Sequence, residues 1–199
     1  MDASVAHELF SRPRRRTKVL IRWWVGGRPG ACAASGGPSG AAIDRGTSGS
    51  VQQLTGQYVD AACTLRQALD LYQQLGNPLG QATALARLGH IQHLTGQDLA
   101  AEQELRQALG LYRQLGHRQG QAEALVVLGV VLHARRVYPE ARDTLKQAVL
   151  LFQQLDHRLG QADALTAMAA LQQAAGRPWE ATESHRRALD LYRQIEEDL

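Results

Sequence analysis

Lysine is almost missing from this chain. Only Lys18 and Lys146 are present, so 20 of the 22 basic residues are arginine. With abundant Ala, Gly and Leu, that is the bias expected of a GC-rich bacterial genome. Cysteine is as scarce, and Cys32 and Cys63 stand alone. Two isolated thiols make neither a disulfide framework nor a metal knuckle, and they fit a reducing cytoplasm. No apolar run is long enough to cross a bilayer. No glycine-rich phosphate loop, serine–histidine–aspartate set or pair of acids stands out. We therefore expect neither an enzyme nor a cofactor.

Charge is unevenly spread. Residues 1–50 hold eight Arg or Lys and three Asp or Glu, a net of +5. Residues 51–199 hold fourteen and sixteen, a net of −2. A body so nearly neutral lacks the basic stripe of a nucleic-acid binder. The first fifty residues also differ in composition. Gly, Ser, Pro and Ala dominate from Gly26 to Gly49, too little apolar surface to offset chain entropy, so a disordered basic tail is expected. Val19–Val25, flanked by Arg14–Arg16 and followed by ACAAS, resembles a secretory signal, but Arg22 interrupts it and the run is too short. Residues 12–24 leave two readings open. One is a solvated arm. The other is a tether to nucleic acid or an anionic membrane, with Trp23 and Trp24 stacking or lying in the interface. Set against the later sequence, Gly40, Ala42, Gly49 and Val51 fall beside Gly80, Ala82, Gly89 and Ile91, while Arg45 and Ser48 replace Leu85 and Leu88. A degenerate remnant of a repeat is thus expected at the end of the tail.

From residue 51 onward the chain repeats itself every forty residues. Residues from Gly56 read GQYVDAACTLRQALDLYQQLG, from Gly96 GQDLAAEQELRQALGLYRQLG, and from Gly176 GRPWEATESHRRALDLYRQI, with a further copy from Arg136. A fixed period means stacked units rather than one closed core. Leu65, Ala68, Leu69, Tyr72 and Leu75 recur at one helical face, and the same set returns forty, eighty and one hundred and twenty residues on, ending with His185, Ala188, Leu189, Tyr192 and Ile195. A second stripe holds Ala82, Leu85, Leu88 and Ile91 and recurs twice. The pattern predicts pairs of antiparallel helices near 57–75, 79–95, 97–115, 119–135, 137–155, 159–175 and 178–196.

Glycine and proline mark the turns. Gly96 and Gly176 suit left-handed helix ends, and Arg136 in the same place should cost about 1–2 kcal/mol there. Asn77 before Pro78 reads as an N-cap with proline in the first turn, and Arg177 before Pro178 repeats the arrangement. His117 and His157 are expected as capping groups. Gly89, Gly129 and Ala169, inside helices, point to a close backbone crossing. Tyr72, Tyr112, Phe152 and Tyr192 form a ladder expected to pack, and Cys63 is expected on the surface.

The spacing of small residues carries a resemblance. Gly89, Gly96, Ala101 and Ala108, with Leu88 before them, are similar to the tetratricopeptide pattern. Gly129, Ala141 and Ala148 repeat it, as do Ala169, Gly176, Ala181 and Ala188, with Arg136 the one break. HEAT repeats share the longer period, but the Leu-Gly and Ala-Ala spacing favours tetratricopeptide repeats. The usual period is thirty-four, and the extra residues are expected in the second helix and its exit. YRQLG, HRQGQAEAL and LRQAL resemble the forty-residue repeats at the C-terminal end of bacterial antibiotic-regulatory-type regulators and NB-ARC-like signalling ATPases. No Walker or DNA-binding segment accompanies them, so those activities do not come with the resemblance. It implies an all-α, right-handed solenoid over residues 51–199.

The resemblance also implies a concave groove that binds a peptide or partner protein. Carried over by position, its wall would hold Thr83, Arg87, His90 and His93, then Glu123, Val126, Val127, Val130 and His133, then Asp163, Thr166, Ala170 and Gln173. An apolar patch rimmed by Arg87, His90, Glu123 and Asp163 would suit an amphipathic helix or an extended segment. Periodicity equally allows Val126, Val127 and Val130 to be core. His90 and His93 lie one turn apart, but nothing completes a metal-ligand set at the right spacing. Glu196, Glu197 and Asp198 oppose the helix dipole, so the last helix should fray. An uncovered outer face there would allow self-association, or mark descent from a longer protein.

Overall fold

The computed structural model describes residues 58–198. The tail of residues 1–50, with Cys32 and the 12–24 segment, lies outside the described residues. Seven helices and no strands are found among the described residues: α1 (Tyr58–Gln74), α2 (Pro78–Leu94), α3 (Asp98–Gln114), α4 (Arg118–Ala134), α5 (Tyr138–Gln154), α6 (Arg158–Ala174) and α7 (Pro178–Glu197). They form a right-handed α-solenoid of tandem antiparallel pairs. Each helix packs on the next, and α2, α4 and α6 also pack on one another. These three form the inner layer, and α1, α3, α5 and α7 the outer. The first six helices are all 17 residues long. The added length of the period is therefore shared between both helices, not placed in the second alone.

Six turns of one kind connect them. In each, a backbone N–H reaches back five residues to a carbonyl, as from Asn77 to Tyr72 at 2.9 Å and from His157 to Phe152 at 2.9 Å. That closure needs a left-handed residue just after the helix. Gly76, Gly96, Gly116 and Gly176 supply it, and so do Arg136 at φ 63° and Asp156 at φ 51°. The turn geometry thus overrides the side chain, at about 1–2 kcal/mol for a residue with a Cβ. Asp156 was not anticipated from the sequence.

Capping divides the turns into two sets. Before each inner helix, a side chain accepts the third N–H: Asn77 from Gly80 at 2.9 Å, and the Nδ1 atoms of His117 and His157 from Gly120 and Gly160 at 3.0 Å. Before the outer helices α3, α5 and α7, the cap residues Gln97, Val137 and Arg177 make no such bond. Arg177–Pro178 therefore repeats the proline of Asn77–Pro78 but not its side-chain cap.

The glycines at the caps also carry the packing. A Cβ on Gly80 would lie 2.4 Å from the Tyr72 ring, one on Gly120 2.5 Å from Tyr112, and one on Gly160 2.4 Å from Phe152. Farther along, a Cβ on Gly89 would meet the Leu105 side chain at 2.8 Å and the Ala101 carbonyl at 3.0 Å, and one on Gly129 would meet Leu145 at 2.5 Å. These are the close crossings expected of Gly89 and Gly129. Ala169 occupies the same register, fully buried, where His185 stands for Leu145. Between the layers Leu65, Leu105 and Leu145 are at most 1% exposed, each worth roughly 1.5–3 kcal/mol of burial.

The last helix departs from expectation. It stays helical through Glu197, and Asp198 ion-pairs with Arg158 at the start of α6. The helix thus continues through the acidic residues expected to fray it, with one exposed ion pair at its end. Leu189 is 45% exposed where its counterpart Leu109 is 4% exposed, so the outer face of α7 is open.

Gly129→Ala is expected to destabilise the chain by about 1–3 kcal/mol through overpacking, although alanine is the better helix former. Gly110→Ala, with nothing within 4 Å of the new Cβ, is expected to stabilise by up to about 1 kcal/mol. Urea unfolding followed by circular dichroism measures both, and shifts of the same sign would contradict the packing described.

Candidate binding surface

The period places corresponding residues of α2, α4 and α6 in rows along the inner layer. Thr83, Glu123 and Asp163 form one row, and His93, His133 and Gln173 another. Arg87 opens a row that continues with Val127, and His90 one that continues with Val130 and Ala170. Most of these side chains are half-buried, Ala170 and Gln173 are exposed, and Asp163 is buried. Val126, Val127 and Val130 are half-buried, whereas Leu125, Leu128, Val131 and Leu132 of the same helix are at most 5% exposed. The three valines are thus neither full core nor an open patch.

The first row is tied to the aromatic ladder twenty-nine residues on. The Tyr112 hydroxyl donates to Thr83 Oγ1 at 3.3 Å, and the Tyr192 hydroxyl to Asp163 Oδ1 at 2.6 Å. Between them Phe152 has no hydroxyl to offer Glu123, which instead accepts from Gln119 Nε2 at 2.9 Å. Thr83 donates to Leu79 O at 3.0 Å and Thr166 to Ala162 O at 2.9 Å, bonds within their own helices. Asp163 therefore departs from the sequence expectation of an exposed rim. It is 5% exposed and held by Tyr192.

The histidines also divide. His93 Nδ1 lies 2.6 Å from Asp98 Oδ1, so His93 is bound to the start of α3. His133, one unit later, meets the Tyr138 ring instead, centroids 6.0 Å apart. No group of three or more His, Cys, Asp or Glu is placed to hold a metal among the described residues. Cys63 is exposed.

Comparison with known proteins follows the same lines. Residues 120–194 match the tetratricopeptide-repeat family. The crystal structure of BtubC (BKLC) from P. vanneervenii superposes with TM-score 0.71 at 18% identity, covering 92% of this chain and 74% of that one. A protein of Podosopora anserina, described as a kinesin light chain with nearly identical TPR-like repeats, gives TM-score 0.61 at 15% identity, covering 90% and 84%. No curated protein matches the sequence. The fold is a tetratricopeptide-repeat solenoid. Such repeats are in general scaffolds for protein–protein interaction, without catalysis of their own.

Burial sets the charge of this wall. The His90 imidazole is pushed down to about 4 by burial and by His93 beside it, so it is neutral at pH 7. His133 is lowered for the same two reasons. Burial raises the Glu123 carboxyl, against Gln119, His117 and Arg87, which favour its charge. Arg87 is lowered by burial, and Tyr112, Tyr72 and Glu123 oppose the shift. It remains a cation. Asp163 is pushed up to about 6 by burial, against the hydrogen bond from Tyr192. The structure thus gathers Arg87, Glu123, Tyr72 and Tyr112 at one point of the wall, and His90, His93 and His133 at another, while Asp163 belongs to neither. Asp98 and the Tyr192 hydroxyl were missed from sequence. The twenty-nine-residue spacing between acid and tyrosine was the signal for the second, and Asp98 had none beyond proximity.

Asp163 gives the wall a pH dependence. Its folded value lies above the unfolded 3.8, so the folded chain keeps a proton that the unfolded chain releases. Stability should therefore fall as pH rises from about 4 to about 6 and level off above that. Asp163→Asn is expected to remove this component, up to about 3 kcal/mol across the window. Urea unfolding of both chains at a series of pH values checks it, and parallel profiles would refute the burial of the acid.

Proposed function

We propose that this chain is a non-enzymatic scaffold whose inner wall on α2, α4 and α6 holds a peptide or partner-protein segment in a bacterial, cytoplasmic regulatory or signalling assembly. One observation carries the reading. Helix α4 has more apolar residues than its core uses, and the surplus, Val126, Val127 and Val130, keeps part of its surface in solvent. Beside it stand a cation at Arg87 and the neutral ring of His90. A segment with an apolar residue at its centre and polar flanks matches that wall. The tether reading of residues 12–24, toward nucleic acid or an anionic membrane, is the alternative supported by the net +5 of the tail.

Affinity capture from native lysate, read by mass spectrometry, separates the two readings. A specific partner is expected to remain on a chain lacking residues 1–50 and to fall about tenfold or more on Val127→Glu and Arg87→Glu. Circular dichroism of each variant confirms that the helices persist. Loss on deletion of the tail alone would favour the tether.

A further inference from the structure

The edge where inner helices turn into outer ones carries a feature that the inner wall does not explain. Between α3 and α5 this edge is closed by charge. Arg135, at the end of α4, pairs with Glu102 on α3; Glu102 also holds Arg106, which reaches Glu140 on α5 at 2.5 Å. Forty residues on, both partners of the first pair are changed. Arg142 stands for Glu102, and Ala175 stands for Arg135. The charge on the outer helix is reversed and the side chain that would meet it is cut back to a methyl group.

A cleft of about 200 Å³ opens there, lined by Tyr138, Pro139, Arg142, Leu171, Ala175 and Arg177, among others. That is less than the usual volume of a metabolite pocket and enough for one or two side chains. Arg142 meets Asp143 at 3.3 Å and Arg177 meets Glu180 at 3.4 Å, both with exposed partners along their own helices. Exposed pairs of this kind contribute little, so both guanidinium groups remain open to a better-placed carboxylate. Leu171, Pro139 and Ala175 supply an apolar floor. Trp179, between the lining residues Arg177 and Glu180 in sequence, is 87% exposed.

We propose that this cleft receives an acidic side chain of a partner protein, an Asp or Glu next to a bulky apolar residue. The carboxylate enters from the side of Ala175 and pairs with Arg142, reversing the polarity of the Arg135–Glu102 pair one unit earlier. A planar guanidinium suits two-pronged carboxylate recognition, and the apolar neighbour covers the floor and Trp179. The proposal is independent of the inner wall and holds whether or not that wall binds.

Selection of a phage-displayed library of random peptides on the immobilised full chain tests it. Selected peptides are expected to share an acid next to a large apolar residue. Their binding should fall about tenfold or more on Arg142→Glu and also on the milder Arg142→Gln. Selection repeated on Arg142→Glu should yield basic residues at that position instead. The double variant Arg142→Glu with Ala175→Arg rebuilds the pair of the neighbouring unit and should retain neither set. Peptides without a shared acid, or peptides binding every variant alike, would overturn the proposal. So would peptides lost on Val127→Glu but kept on Arg142→Glu, since those sit on the inner wall.

Discussion

The described solenoid rests on helices approaching at glycine, with alanine at the one remaining crossing, Ala169. Gly80, Gly120 and Gly160 lie directly under an aromatic ring of the preceding helix, and Gly89 and Gly129 under a leucine of the following one. Each contact fixes how far apart two helices run and where along their length they touch. A larger residue would have to push back a ring or a leucine that is itself enclosed. Interiors pack too densely to absorb such a shift locally. These contacts recur at the forty-residue period, with Ala169 and His185 standing for the glycine and leucine in the last unit. The inner layer of α2, α4 and α6 then follows as a consequence of the crossings. The capping bond adds to this, since the N–H accepted by Asn77, His117 or His157 belongs to the very glycine beneath the ring.

This geometry governs the chemistry of the wall. In the row of Thr83, Glu123 and Asp163, ladder hydroxyls reach Thr83 and Asp163 and Gln119 reaches Glu123, so their polar atoms are engaged within the protein. Burial leaves Asp163 half-ionised near pH 6 and mostly charged at pH 7, raises Glu123 as well, and leaves His90 uncharged at pH 7. The charge of the wall is therefore set by pH more than its residue types suggest. Arg87 keeps its charge because a guanidinium does not lose its proton in a protein. On the proposed reading, the part left for a partner is the surplus apolar surface of α4, with few charges to direct it. Affinity on such a wall comes from shape and apolar contact, and selectivity from the few polar groups at its border.

The fold was legible because the period is long-range information that a single helix does not carry. Apolar spacing gave all seven helices to within a residue or so, and Gly96, Gly176, Asn77, His117 and His157 marked the turns correctly. Arg136 was read as a strained turn residue, and its φ of 63° agrees. Asp156 was not, since aspartate is common enough in ordinary loops to raise no flag. The wall was less legible. Helical periodicity says which face of α6 holds Asp163, yet not that a tyrosine on the next outer helix closes over it. That depends on the angle between layers, which only the packing fixes. The edge cleft left no trace for the same reason. Glu102 and Arg135 are far apart in sequence and on different helices, so their exchange for Arg142 and Ala175 reads as ordinary surface drift.

Near-copies make every position its own control, and the departures can be sorted by what answers them. Phe152 withholds a hydroxyl from Glu123, and Gln119 supplies a donor. Arg136 replaces a glycine, and the turn keeps its hydrogen bonds, with Val137 N–H on Leu132 O at 2.9 Å. Asp198 faces an unfavourable dipole, and Arg158 holds it. Each change has its answer inside the chain. The exchange at Arg142 and Ala175 is answered only by an exposed pair with Asp143 on the same helix, because the charge was reversed and the opposing side chain was removed at the same junction. Loss of a structural pair alone would be met by two small uncharged residues, as at Ala62 and Thr95 in the first junction. A cation placed beside an emptied slot is a different outcome, and on the proposed reading it directs that edge toward a partner.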